Sequence, residues 1–275
     1  MEQPTESRQA MCRLLAISSS RAITVSQALG NKATEEFSAL SEFHNDGWGA
    51  AWVSEEQQLH KVASTKQADT DPAFARYLSH HAAKQQLVHL RWASKGMPNT
   101  TYNTHPFVEG DFAFEHNGNI APAEKLERML QHQFLATLRG NTDSERYFAL
   151  IRQCCSACGS IRQGVINAVE MLEEAYPHRS LNAFLMHGDC IYIINVHEGA
   201  SFSLDGYPDR EEAPLPYQHT PEHYHDLMLQ RTSQAVVAAS SGIRSGAWEK
   251  IPEGSIVVIE QGQQVPTVTT IWNRQ

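Results

Sequence analysis

The order of apolar patterns along the chain predicts an α+β fold in which sheets are covered by helices. Strand-length apolar runs fill roughly the first 120 residues, helical patterns fill the middle, and strand-type runs return after residue 180. Such grouping suits a helix-covered sandwich better than a regular alternation of strand and helix. The 275 residues, 41% of them hydrophobic, can fill the core of a single domain.

The first strand is predicted to begin at Cys12, with CRLLAIS, and a more polar helical segment follows through Ala39. HNDGWGAAWVS (residues 44–54), LHKVAST (59–65), QLVHLRWAS (86–94) and FAFEHNGNI (112–120) are short runs closed by Gly, Asn, Ser or His, as strands ending in turns are. Three helices are expected over 121–135, 142–157 and 161–176, where apolar residues recur at three- and four-residue intervals. Thr142 or Asp143 can cap the second, with Glu145 at capping-box distance from Thr142. LNAFLMHG, IYIINVH, AVVAASS, SIVVIE and VTTIW return to strands. Residues 203–232, rich in Pro, Asp, Glu and His, predict a long surface loop.

A net charge of −9 opposes nucleic acid or an anionic membrane as the main partner, because both want clustered Lys and Arg. No run of about 18 apolar residues occurs, and the start has no apolar signal core, so a cytoplasmic protein acting on a small solute is expected. Five cysteines, an odd number in a large chain, fit reduced thiols better than a disulfide framework.

Four features carry chemistry. Cys12 stands at the head of the first strand, where by itself a buried strand cysteine is the plainer reading. As a first residue it would carry a free α-amine, whose pKa of about 7.7–8.0 makes a usable base for its own thiol. An amide nitrogen cannot do this, so residues 1–11 are expected to be a trimmed extension, or Met11 the true start, with residues 12–275 the domain. Asn117 and Gly118 can supply a side-chain amide and an unobstructed backbone N–H to an oxyanion, although Asn-Gly is also a plain turn. Arg91, at a strand end, can grip a carboxylate through two parallel N–H bonds, with Ser94 nearby, or serve in a salt bridge. Asp143 can meet an ammonium or cap its helix.

Taken in order, Cys12, HNDGWG, HLRWASKG (89–96), NTHPF (103–107), EHNGN and TDSE resemble the glutaminase domain of class II amidotransferases over roughly residues 11–150. LNAFLMHGD, VVAASSGI and WEKIPEG extend the likeness to about residue 258, in the manner of the stand-alone branch that includes γ-glutamyl hydrolases of ergothioneine and glutathione metabolism. The resemblance implies a four-layer αββα sandwich of the N-terminal-nucleophile hydrolase kind. It implies Cys12 as nucleophile and, through its amine, base; Asn117 and Gly118 as oxyanion hole; Arg91 as carboxylate clamp; Asp143 as ammonium partner. Trp92, Ser94 and His105 would lie around the glutamyl group, while Lys95 stands where synthase-type members often have His. The implied reaction is cleavage of the γ-amide of glutamine or a γ-glutamyl compound through a Cys12 thioester, without cofactor or metal. A separate ammonia-accepting synthase subunit is a possible partner, since no synthase half follows.

Two rivals accompany this reading. One is a glutamine or γ-glutamyl binding module blocked at Cys12 by the extension. The other is a metallohydrolase built on His219, His223 and His225, for which no HExxH-like helix is evident; solvated histidines are the plainer expectation. Cys154, Cys155 and Cys158 lack a fourth ligand for zinc, so a helix facing the core is the expectation there. Of His44, His105 and His116, at least two are expected to be hydrogen-bonding structural residues.

Overall fold

The computed structural model describes residues 12–94, 96–202, 215–262 and 264–274. Residues 1–11, Lys95 and the first part of the 203–232 segment, up to 214, lie outside the described residues.

In chain order the elements are β1 (Arg13–Ile23), α1 (Val25–Leu29), α2 (Asn31–Ala39), β2 (Trp48–Val53), β3 (Leu59–Ser64), α3 (Pro72–His80) and β4 (Ala83–Leu90). Then come β5 (Phe107–Glu109), β6 (Phe112–His116), α4 (Ala123–Glu127), α5 (His132–Leu135), α6 (Asp143–Cys158) and α7 (Ile161–Ala175). The chain closes with β7 (Ala183–His187), β8 (Cys190–Asn195), β9 (Leu227–Arg231), β10 (Ala235–Ser240), β11 (Glu249–Lys250), β12 (Ser255–Glu260) and β13 (Thr267–Asn273). Among the described residues these make a seven-stranded sheet, β11-β9-β10-β1-β4-β2-β3, and a six-stranded sheet, β13-β12-β8-β7-β6-β5.

Side-chain alternation stacks four layers. On β1, Leu14 and Ala16 point between the sheets and pack with Phe184, Met186, Ile193 and Val257 of the second sheet. Leu15 and Ile17 point the other way, onto Val25, Phe37 and Phe74 of α1–α3. The outer face of the second sheet, with Phe114, Leu185 and Ile194, is covered by Leu126, Phe148 and Val169 from the later helices. Helix, sheet, sheet, helix is thus a consequence of period-two burial on both faces, and each fully buried Leu, Ile or Phe contributes about 1.5–3 kcal/mol.

Several expectations are corrected. The predicted helix over 121–135 is two short helices, because Gln153 of α6 reaches into the segment. Its amide donates to the Met129 carbonyl at 2.9 Å and accepts from Gln131 N–H at 2.7 Å, and Gln131 then stands as N-cap of α5. The 203–232 segment is not simply a surface loop: it ends in β9, and Tyr224, His219 and His225 are buried. The last two are therefore not solvated histidines. Cys154 and Cys155 face the core as expected, but Cys158 is exposed. Gly164 lets α7 pack tightly on α6 at Cys155, since a Cβ on Gly164 would stand 2.4 Å from the Cys155 Cα. Thr142 caps α6, accepting from Glu145 N–H at 3.2 Å. The Glu145 carboxylate does not close the capping box; it takes the N–H groups of Arg139 and Gly140 at 2.8 and 2.9 Å. Among the described residues no helix is long and apolar enough to cross a membrane.

Candidate active site

Cys12 immediately precedes the central strand β1, at one end of the sandwich. Antiparallel pairing sets Arg13 opposite Leu90, so the residues that follow β4, Arg91 and Trp92, arrive beside Cys12. The Cys12 thiol faces the Trp92 carbonyl at 3.7 Å. From the other sheet, the end of β6 delivers Asn117, whose Oδ1 accepts from Cys12 N–H at 2.9 Å. Register in one sheet and stacking of two sheets therefore bring together residues 80 and 105 positions apart in the chain.

Asn117 is fixed at each of its polar ends but one. Its N–H donates to the Asn182 carbonyl at 2.8 Å, and its own carbonyl accepts from Ser180 Oγ at 2.7 Å. With Oδ1 occupied by Cys12, the Nδ2 group is buried and has no acceptor among the described residues. An amide donor left this way costs free energy unless something comes to accept from it. Gly118 follows in a space that no other residue fits: a Cβ there would lie 2.1 Å from the Ser180 carbonyl oxygen and 2.6 Å from His116 Nε2.

Burial pushes the Cys12 thiol up to about 11, although the Arg91 and Arg13 guanidinium groups pull it down. With an amide nitrogen at Cys12 the sulfur is thus a neutral thiol near pH 7, and it needs a base to become a nucleophile.

Arg91 is buried, and Asp46 straps the segment around it: Asp46 N–H donates to the Arg91 carbonyl at 3.0 Å, and Ala93 N–H donates to Asp46 Oδ2 at 2.8 Å. The guanidinium donates to Asn99 Oδ1 at 2.8 Å and to the Pro98 carbonyl at 3.3 Å. These neutral acceptors orient it without neutralising it, which leaves its charge for another anion. Asp143 opens α6 as a partly buried residue, and its Oδ2 accepts from Ile120 N–H at 2.5 Å. Because Thr142 does the capping, the Asp143 carboxylate is tied instead to the turn that carries Asn117 and Gly118.

Trp92 is buried against Tyr224, and Ser94 is half-buried. His116 is structural, bonded to Ser144 Oγ at 2.9 Å and to the Ser180 carbonyl at 3.0 Å. His44 Nε2 lies 3.4 Å from His219 Nε2. His105 lies beside His89, their rings tilted and their centres 4.3 Å apart.

The sequence reading did not single out Asp46, His89, Ser180 or Asn182. Polar residues inside otherwise apolar strand patterns, as with His89 in QLVHL, were the available signal. Ser180 and Asn182 gave none, since their role is to bond the backbone around Asn117.

The family model of class-II glutamine amidotransferases matches residues 11–275. The chain is 23% identical to "Probable glutamine amidotransferase DUG3" of Saccharomyces cerevisiae, over 91% of this chain and 82% of that protein. It is 32% identical over 90 residues to the glutamine--fructose-6-phosphate aminotransferase of Escherichia coli K12, a match that spans 33% of this chain and 14% of that one. The solved glutamine aminotransferase class-II domain protein of Silicibacter pomeroyi superposes with a TM-score of 0.62 at 18% identity, covering 96% of this chain and all of that one, which supports the fold.

Proposed function

The chain belongs to the class-II glutamine amidotransferases, and from that premise we propose that it hydrolyses the γ-amide of glutamine or of a γ-glutamyl compound through a thioester on Cys12. The active form begins at Cys12, and residues 12–275 form its catalytic domain. The α-amine takes the thiol proton, and the thiolate adds to the amide carbon. The tetrahedral oxyanion is held by Asn117 Nδ2 and Gly118 N–H. Collapse breaks the C–N bond, and the amine returns the proton to the leaving nitrogen. Water, deprotonated by the same amine, then cleaves the thioester to give glutamate and restore the thiol. Arg91 binds the substrate α-carboxylate and Asp143 its α-ammonium, with Trp92, Ser94 and His105 around the glutamyl chain.

The observation that carries this reading is the two-sided use of Asn117. Its Oδ1 holds the nitrogen of the nucleophile's own residue, and its buried Nδ2 lacks an acceptor. The family match, which leaves out the first ten residues, supports a start near Cys12. The free state of the cysteines suits a reducing, cytoplasmic compartment. The packing of Tyr224 against Trp92 supports a role for the 203–232 segment in contacting the leaving group. If ammonia is the product used, a separate synthase subunit would accept it.

One observation favours the second reading for uncleaved chain: a thiol held near 11 beside an amide nitrogen is a poor nucleophile, so that form would bind glutamyl groups without turning them over. N-terminal sequencing and intact mass, taken with glutamate release, test both. Activity should track the fraction of chains that begin at Cys12. Full activity in protein that retains residue 1 would sink the mechanism.

A further inference from the structure

We propose that Cys12, His89 and His105 form a binding site for one thiophilic divalent cation, with zinc the best fit, and that occupancy caps the nucleophile and holds the protein reversibly inactive. The binding half of this inference stands apart from the proposed hydrolysis; only the inhibition rests on it.

The three side chains are buried, and one ligand atom from each lies within 4.8 Å of the others. They come from three different places. Cys12 precedes β1; His89 lies on β4 with the parity of Leu87, which points between the sheets; His105 sits in the connection before β5. All converge at one end of the inter-sheet layer. The two imidazoles lie with their rings at 33°; neither ring nitrogen of His105 has a partner among the described residues, and the one partner His89 finds there is the His116 backbone. Interior imidazoles are ordinarily hydrogen-bonded or ligated; a His89 ring held at one nitrogen by the His116 backbone keeps its other nitrogen free, and with the unmet His105 ring and the thiol it makes a donor set in want of an acceptor.

The chemistry of the set selects the ion. One sulfur and two imidazole nitrogens suit zinc and its neighbours, whereas magnesium and calcium want oxygen. Zinc–nitrogen and zinc–sulfur bonds of about 2.0–2.3 Å place tetrahedral ligands roughly 3.3–3.8 Å apart, so atoms that all lie within 4.8 Å of one another need contract by at most about 1.5 Å, within reach of side-chain rotation. Binding replaces the thiol proton: the S–H bond breaks, a sulfur–metal bond forms, and one proton is released to solvent. The fourth position is left for water or, in protein that begins at Cys12, for the α-amine.

The test uses chelator-washed protein that begins at Cys12, titrated with cobalt(II) and then zinc. Expected are saturation at one equivalent, a near-ultraviolet sulfur-to-cobalt band with tetrahedral visible bands, displacement by zinc, and a zinc-dependent rise in Tm. Glutamate release should fall at least tenfold with one equivalent of zinc and return with EDTA. His89→Gln and His105→Gln should each weaken metal binding tenfold or more, and Cys12→Ala should abolish the sulfur band. No saturable binding, or binding that is unchanged in both histidine variants, would overturn the site. Should those variants fold poorly, Cys12→Ala decides alone: zinc that raises its Tm as much as that of the parent protein would also overturn it. Because spectrum and melting need no turnover, loss of the metal site and loss of the hydrolase reading register separately.

Discussion

Gly118→Ala probes the proposed oxyanion hole at its tightest point. The new Cβ would stand 2.1 Å from the Ser180 carbonyl oxygen and 2.6 Å from His116 Nε2. Neither neighbour can yield alone, because that carbonyl is bonded to His116, whose Nδ1 is in turn 2.9 Å from Ser144 Oγ. Ser180 also holds the Asn117 carbonyl through its hydroxyl at 2.7 Å. Relief of the overlap therefore shifts the 117–118 backbone by about 1 Å, and with it both oxyanion donors. A misplacement of that size costs on the order of a hundredfold, and loss of one donor costs roughly a hundred- to a thousandfold in kcat, or about 2.7–4 kcal/mol. The assay is steady-state glutamate release from glutamine, with Tm measured alongside to establish folding. We expect kcat to fall at least a hundredfold with KM changed less than fivefold, since donors aimed at the oxyanion act on the transition state. A folded variant with kcat within fivefold of the parent would refute the oxyanion assignment.

Cys12→Ala should leave the fold intact and abolish turnover; measurable glutamate release from the folded variant would remove Cys12 as nucleophile. Arg91→Ala or Asp143→Ala should lower kcat/KM by roughly ten- to a hundredfold or more, equally for all γ-glutamyl substrates, because a charge-assisted contact contributes about 1.5–3 kcal/mol. Rates within twofold of the parent across a set of γ-glutamyl amides would discard the clamp. Acid should destabilise the fold, as circular-dichroism melts at pH 7 and pH 5 can check. Burial holds His219 and His225 neutral, down at about 2 and about 3, so below about 6.5 the unfolded chain binds more protons than the folded one. Their stabilisation is complete above pH 6.5 and is reduced by ~2 kcal/mol each at pH 5. Buried His89 and His105 act in the same direction. Glu115, whose carboxyl burial raises well above its usual range, opposes them over that interval. The net loss should lower Tm by about 5 °C or more, and an equal or higher Tm at pH 5 would show that these imidazoles are not held neutral.

Much of this molecule is legible in the sequence because strand and helix periods are local. The strand-length apolar runs CRLLAIS and FAFEH, and the three-to-four spacing in 142–157 and 161–176, determined β1, β6, α6 and α7, and the turn chemistry of Asn117-Gly118 pointed to the end of a strand. Arg91 was likewise readable as a residue at the end of the strand run QLVHL; it follows β4 directly. Tertiary structure decided the rest. A helical pattern over 121–135 broke because Gln153, far along the chain, competed for the backbone at Met129 and Gln131. The polar 203–232 segment gained β9 because its end pairs with β10, and His219 and His225, though not His223, became buried because the chain covers Arg13 and Trp92 there. The meeting of Cys12, His89 and His105 was invisible for the same reason. It depends on which face of each strand a side chain takes and on how two sheets are stacked, and both are set by register between segments distant in sequence.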